Sequence, residues 1–492
     1  MSAALRAMRS VVATVSALTR MLVATLALAV CAAFPSDAQT ALPARVAIEP
    51  AERALARLDS LMAVVREEEA RIRPSLGLEV NWTRLARAWF QVGEHARAAK
   101  CVERARMLGG KEFDTALLSG RIARSECRFA EATGWLERAA RMRTDDWEVH
   151  EELGLALYLE GRLARAADHW ERSRALPGSG SPDRSGLLAA LRRVGDRPYE
   201  VTGRGRERLR FVPQSVRGPL VVPVRVNGQG PFLFRIDAGS PEVTIDRTLA
   251  SDLGLVSFAG GGAGSPAAAI GLDLDYATLD SLTLGSTTIH RFPVAVTGAR
   301  REQPPGGVRG LIGFEVLRRF RFCIDTPDST LWLDPPGPAA TAVDTLRPAW
   351  APAGAVTHRV PVLLRGTHLL IAQGRLDRGP HRPFLIEPGG AGVALAAPAS
   401  TIAEAGILLD STRVMTGTSV SGSVRFLGFP IDSLCVAGAC RRALEGGYGT
   451  FPPRLERNPS FRLAGIVSGG FLSRYRVGVD LSRGEVWLVE PQ

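Results

Sequence analysis

Residues 205–490 carry one pattern twice, and that repetition limits the fold more than any other feature of the chain. An extended apolar run ends in an acid and a glycine. A glycine-apolar run follows some way on, then a short helix-like stretch and a strand. The first copy reads Phe234-Arg235-Ile236-Asp237-Ala238-Gly239-Ser240, then Gly310-Leu311-Ile312-Gly313, Phe320, Ile324-Asp325 and Leu331-Trp332-Leu333. The second reads Phe384-Leu385-Ile386-Glu387-Pro388-Gly389-Gly390, then Gly465-Ile466-Val467-Ser468, Tyr475, Val479-Asp480 and Val486-Trp487-Leu488. Asp237 to Glu387 and Gly239 to Gly389 are both offsets of 150. Phe320 to Tyr475, Asp325 to Asp480 and Trp332 to Trp487 are all offsets of 155. One offset for the acid turn and one for the three later landmarks imply two lobes of one design, each presenting an acid on a turn.

Ahead of the lobes the period is different. Ala86, Gly120 and Gly154 stand 34 apart, as do Ala98, Ala132 and Ala166. Small residues let paired helices approach closely, and Trp82, Leu85, Trp89, Leu117, Leu136, Leu153, Leu157 and Trp170 fill the space between them. This period and pattern over residues 80–177 resemble tetratricopeptide repeats. A leading helix is expected over 49–73, ended by Pro74, and a closing helix over 185–194. From about residue 200 the helical period gives way to alternation, and Asn227-Gly228 signals a hairpin. Pro335-Pro336-Gly337-Pro338 opens a loose stretch expected to link the lobes as far as residue 356. The fold class is therefore an all-α repeat solenoid followed by two all-β lobes. The expected domains are 49–195, 196–334 and 357–492, with 335–356 as linker.

The duplicated pattern resembles the retroviral-type (retropepsin-like) aspartic proteases, especially their bacterial members. In that family each lobe offers one acid at a pseudo-twofold axis. The two carboxylates face each other, share a proton and hold a water, one acting as base and the other as acid. The resemblance assigns Asp237 as the principal acid and Glu387 as its candidate partner, on turns made by Ala238, Gly239 and Ser240 and by Pro388, Gly389 and Gly390. The glycine lets the turn approach its mate. By the same resemblance the flaps over the cleft are 258–264, with Gly260, Gly261, Gly262 and Gly264, and 416–422, with Thr416, Gly417 and Gly422. Ordinary polar hairpin tips would read the same way.

Both turns depart from the family. Ala238 and Pro388 replace the hydroxyl residue that ties the turns together, and Pro388 also removes a backbone N–H. Ser240 retains a hydroxyl that reaches the outer carboxylate oxygen in some relatives, whereas Gly390 has none. Glu387 is one methylene longer than Asp, and a misplacement of 1 Å costs about a hundredfold in rate. Three readings follow: an asymmetric Asp237–Glu387 dyad within one chain, a pairing of Asp237 with Asp237 of another chain, or a cleft that binds extended peptides by strand addition without cutting them. Asp325 and Asp480 recur before turns and read as turn formers, and Trp332 and Trp487 read as core.

The ends and the composition set the context. Arg6 and Arg9, the apolar run 21–30 and Ser36-Asp37-Ala38 resemble an export signal cleaved after residue 38, so an exported, periplasmic or extracellular protein is expected. Membrane contact follows only if that signal stays uncleaved. The net charge is +11, but 59 of the 61 basic residues are arginine, spread along the chain without aromatic-basic clustering, so nucleic acid is not an expected partner. The seven histidines fall at no metal-ligand spacing, and no metal or cofactor is expected. Cys435 and Cys440 are placed to close a hairpin by a disulfide in an oxidising compartment, and Cys101 and Cys127 are a second candidate pair. The expected partners are a peptide or protein substrate in the cleft and a protein docked on the repeats.

Overall fold

The computed structural model describes residues 46–72, 77–179, 181–195, 197–203, 205–212, 220–260, 274–297, 307–334, 350–388, 392–419, 422–456 and 462–491. The expected export signal at 1–38 and most of the expected inter-lobe linker lie outside these residues.

The helical part is α1 (Ala51–Ile72), α2 (Glu79–Val92), α3 (His95–Met107), α4 (Phe113–Ser125), α5 (Phe129–Met142), α6 (Trp147–Glu160), α7 (Leu163–Ala175) and α8 (Ser185–Arg193). The first helices of the three pairs start at 79, 113 and 147, and the second helices at 95, 129 and 163, so the 34-residue period survives to the residue. Close packing explains the small-residue columns: a Cβ on Gly120 would lie 2.5 Å from Leu136 Cγ, and one on Gly154 would lie 2.6 Å from Trp170 Cδ1. The turn inside each pair also repeats. Gly93, Cys127 and Gly161 are left-handed, and the amides of Glu94, Arg128 and Arg162 donate back to the carbonyls of Trp89, Ala123 and Leu157.

The first lobe holds β1 (Glu200–Thr202), β2 (Glu207–Arg210), β3 (Val221–Val226), β4 (Gln229–Ile236), β5 (Thr244–Asp246), α9 (Arg247–Asp252), β6 (Leu274–Leu284), β7 (Thr287–Thr297), β8 (Val308–Ile312), α10 (Phe314–Leu317), β9 (Arg321–Asp325) and β10 (Thr330–Asp334). The second holds β11 (Thr357–Pro361), β12 (Leu363–Arg365), β13 (Leu369–Leu376), β14 (His381–Ile386), β15 (Leu395–Ala397), α11 (Ala399–Glu404), β16 (Val414–Ser419), β17 (Gly422–Val436), β18 (Ala439–Tyr448), β19 (Ile466–Val467), α12 (Gly469–Leu472), β20 (Arg476–Asp480) and β21 (Glu485–Val489). In one lobe β4 runs parallel to β8, β8 antiparallel to β5, and β5 parallel to β7. In the other, β14, β19, β15 and β18 repeat those three relations.

A six-stranded sheet, β11-β21-β20-β9-β10-β2, joins the lobes. At its centre β9 and β20 pair antiparallel, with Cys323 opposite Gly478 and Asp325 opposite Arg476. Cys323 and Gly478 are equivalent under the 155 offset, so the pairing maps onto itself when the lobes are exchanged. Trp350 is buried on this sheet with its ring over Gly478, where no side chain would fit. The end of the presumed loose linker is therefore packed structure.

The array lies along both lobes, a placement the repeat itself did not indicate. Phe90, Arg124 and Tyr158 occupy one repeat position and all three are buried. Phe90 shares an apolar cluster with Leu385 and Ile466 of the second lobe. Beside Tyr158, the carbonyl of Leu159 accepts from Arg318 Nη1 of the first lobe at 2.9 Å.

Replacing Gly154 by Val is expected to lower stability by about 1–3 kcal/mol, because Trp170 cannot retreat from the new side chain. Gly134 lies in α5 with nothing within 4 Å of its would-be Cβ. Gly134→Ala should instead stabilise by about 0.5–1 kcal/mol through helix propensity alone. Thermal denaturation of both variants checks the close packing inside the repeats.

Candidate active site

The parallel pairs β4–β8 and β14–β19 place the two acids in matching ways. The Asp237 amide donates to Ile312 O at 3.0 Å, and the Glu387 amide donates to Val467 O at 3.0 Å. On the first turn Oδ1 of Asp237 accepts from the Gly239 amide at 3.0 Å, and Ser240 N donates to Asp237 O at 3.2 Å. Ser240 O accepts from Phe314 N at 2.8 Å, which fastens the turn to α10. Ala238 is buried in the core with no polar atom to lend. On the second turn Pro388 is buried, while Gly389 and Gly390 lie outside the described residues.

Arg235, two residues before Asp237, is the site residue the sequence reading passed over. Its Nη2 donates to Asp237 Oδ2 at 2.8 Å, so the outer carboxylate oxygen is held by a guanidinium rather than by the Ser240 hydroxyl. The equivalent position in the second lobe is Leu385. One acid thus has a cationic neighbour and the other an apolar one.

Asp237 is 8% exposed and Glu387 3%. The two are close enough that the charge on Asp237 acts on Glu387. Burial first, and the Asp237 carboxylate second, push the Glu387 carboxyl well above the ordinary carboxylate range, with Arg235 opposing. Glu387 Oε2 is buried and takes no hydrogen bond among the described residues. Burial of that kind favours the protonated form, because an unpaired buried anion is costly. The pair therefore sets an acid ion-paired to Arg235 beside one whose surroundings disfavour its charge.

A second carboxyl behind the turn was also missed. Glu242, five residues after Asp237, is pushed up to about 7, by burial first and by the Glu315 charge second, while Arg184 of the helical array opposes. Glu315 is itself bound by Arg318 at 2.7 Å and Arg319 at 3.2 Å. Neither Arg235 nor Glu242 carried a signal in one sequence, since each is a single charged letter within or beside a strand.

The candidate flaps are placed only in part. Thr416 and Gly417 lie on β16, paired with Arg425 and Val424 of β17, and Gly422 pairs with Ser419. Gly260 donates to Asp275 Oδ1 at 3.4 Å, near the Phe258–Tyr276 bridge. Gly261, Gly262 and Gly264 fall outside the described residues. Cys435 and Cys440 are joined by a disulfide across the β17–β18 turn. Cys101 and Cys127 are free thiols, so the second candidate pair is not formed. Asp325 and Asp480 accept from the amides of Asp328 and Ser482, which makes them turn acids away from the site.

Residues 222–316 match the family model described as aspartyl protease, a span that takes in Asp237 and the glycine-apolar run. No curated protein matches the chain. Among solved structures, MamA (residues 41 to the end) from Desulfovibrio magneticus RS-1 is 18% identical, over 26% of this chain and 71% of its own, with a TM-score of 0.23. YrrB, a TPR protein described as having an unusual peptide-binding site, is 16% identical over 25% of this chain and 64% of its own, also with a TM-score of 0.23. The chain thus contains an aspartyl protease-like domain behind a helical repeat region.

Glu242 and Glu387 hold protons in the folded chain that the unfolded chain releases above about pH 4.3. Their contribution to stability is complete below that pH and declines as pH rises, through about 7 for Glu242 and through the raised range of Glu387. Glu242→Gln and Glu387→Gln should each reduce the fall in melting temperature between pH 5 and pH 8. Calorimetry at the two pH values reads the difference.

Proposed function

We propose that this chain is an exported aspartic endopeptidase whose two lobes, matched in topology and in offset, arose by internal duplication of a retropepsin-like unit. The domain limits proposed are 49–195 for the repeats, 196–334 for the first lobe and 357–492 for the second. The observation that carries the catalytic reading is the asymmetric pair: Asp237 ion-paired with Arg235, beside a buried Glu387 whose carboxyl is pushed well above the ordinary range by burial and the Asp237 charge. A water between them gives its proton to Asp237 while its oxygen attacks the peptide carbonyl carbon. Glu387 gives its proton to the carbonyl oxygen, so a neutral tetrahedral diol forms. As the C–N bond breaks, the amine leaves with the proton from Asp237, and one diol hydroxyl returns its proton to Glu387. A dyad with fixed roles needs no shared proton, so the longer Glu387 is tolerated as the acid. An intrachain pair also accounts for the second lobe, which a dimer built on Asp237 alone would leave unused.

One observation favours a second reading, a peptide-binding protein without hydrolysis. β16 is the outer strand of the eight-stranded second-lobe sheet, and its free edge suits an added strand. The repeats face the lobes through their inner row, so a separate protein partner would use the outer helices.

The test is cleavage of a peptide library by purified mature protein at acidic and neutral pH. Asp237→Asn should abolish cleavage, and metal chelators should leave it unchanged. Ala238→Thr combined with Glu387→Asp and Pro388→Thr should raise kcat by about ten- to a hundredfold, the scale set by a displacement near 1 Å. Binding of library peptides with no cleavage by any variant would select the second reading.

A further inference from the structure

The lobes present the same surface twice, and the helical array covers only one copy. Alternation puts Arg235 on the side of β4 that leads to Asp237, and Leu385 on the side of β14 that leads to Glu387. Beside Arg235 lies Leu311, opposite Thr244; beside Leu385 lies Ile466, opposite Ala396. The first-lobe set is partly exposed. The second-lobe set is shut: Leu385 is 2% exposed and Ile466 1%. Leu385, Ile466 and Ala396 lie in one apolar cluster with Leu85, Trp89 and Phe90 of the first repeat and with Phe451 and Leu463 of their own lobe.

Backbone contacts seal the same place. Gln91 O accepts from the Arg462 amide at 3.1 Å. Gly93, left-handed at φ 93°, lies so close to β14 that a Cβ there would be 2.8 Å from Pro383 Cγ. Pro383 is on the same side of the strand as Leu385. At its other end the array reaches the first lobe's candidate flap: Gly186 of α8 lies against the Ala259 carbonyl and Gly260, with no room for a side chain. The array therefore touches a substrate-facing element on each side of the dyad.

We propose that the helical array is an inhibitory lid in cis: its first repeat fills the Glu387 half of the cleft, and peptide enters only when that repeat parts from the second lobe. The proposal rests on residues 237 and 387 forming the site. In the closed form an extended peptide has no wall to lie on beside Glu387, because Leu385 and Ile466 are already buried in the cluster that Phe90 and its neighbours share. The cleft is latent, and its apparent affinity for peptide is reduced by the fraction of molecules that are open.

Two substitutions prise the contact apart in the full-length mature protein. Gly93→Asn keeps a residue that tolerates the left-handed turn and drives its Cβ against Pro383. Phe90→Asp places a carboxylate in the apolar cluster. Circular dichroism melts establish that each variant is folded, and Gly93→Asn carries the test if Phe90→Asp is not. The probe is a fluorescent peptide with a central statine, which binds without being cut, read by anisotropy. With one molecule in ten open, the variants should bind about tenfold more tightly than the wild type. Amide exchange at 384–387 and 465–467 should be slow in the wild type and faster in the variants. Tighter binding without cleavage of any peptide would uphold the lid and remove the hydrolytic reading. A folded Gly93→Asn protein with unchanged affinity overturns the lid, as does faster exchange with no gain in binding.

Discussion

The pairing of β9 with β20 is the constraint on which the site depends. Each acid is fixed within its own lobe by a parallel strand pair, but nothing inside a lobe sets where the other acid lies. The central pairing does. Cys323 faces Gly478, and those positions are equivalent, so the axis relating the lobes passes between them. Sliding β20 by one residue would turn its side chains to the opposite face of the sheet and move the axis. Several features hold the register. Arg476 Nε lies 2.9 Å from Asp325 Oδ2 across the junction, and Trp350 occupies the space above the glycine. With the axis fixed, Asp237 and Glu387 are brought near enough for one charge to act on the other.

Symmetry of backbone does not carry over to chemistry. Two anions at this depth repel each other and lose their water, and the handed-out residues avoid that state. Arg235 ion-pairs with one acid, while burial and the Asp237 charge push the other up. The lobes differ at the strand position two before each acid, Arg235 against Leu385.

Much of this was legible in the sequence because it was repeated. The 34-residue columns fixed where helices begin, and the offsets of 150 and 155 fixed which strand positions correspond. Repetition reveals equivalence, and what lay outside it was hidden. Arg235 breaks the match between lobes, so a search for likeness passed over it. Phe90, Arg124 and Tyr158 are recognisable as equivalents, but a period does not say what covers a row of residues. Trp350 sits at the end of a proline- and glycine-rich stretch whose composition reads as loose, and only the gap above Gly478 gives it a place. Glu242 owes its raised pKa to burial first and to the charge of Glu315 from later in the same lobe second, with Arg184 of the array opposing, influences that no local pattern encodes.

The array's own geometry argues that the lobes are what its inner face evolved against. The left-handed residues at the turns inside its three helix pairs are Gly93, Cys127 and Gly161, and the middle one is not a glycine. Cysteine in that conformation costs about 1–2 kcal/mol more than glycine. Cys127 is half-buried, its thiol is pushed up to about 12, chiefly by burial, and the charges of Arg318 and Arg124 oppose that rise. Its setting thus includes Arg318, the first-lobe residue that donates to Leu159 O. A free repeat protein would have no reason to keep a strained residue at the turn of its central repeat. One whose turns rest on other domains does, because the side chain there is part of the contact. The same logic separates the ends of the row. Gly93 approaches the second lobe with no side chain, and that bare approach lets the backbone of the first repeat close over the strand that carries Glu387.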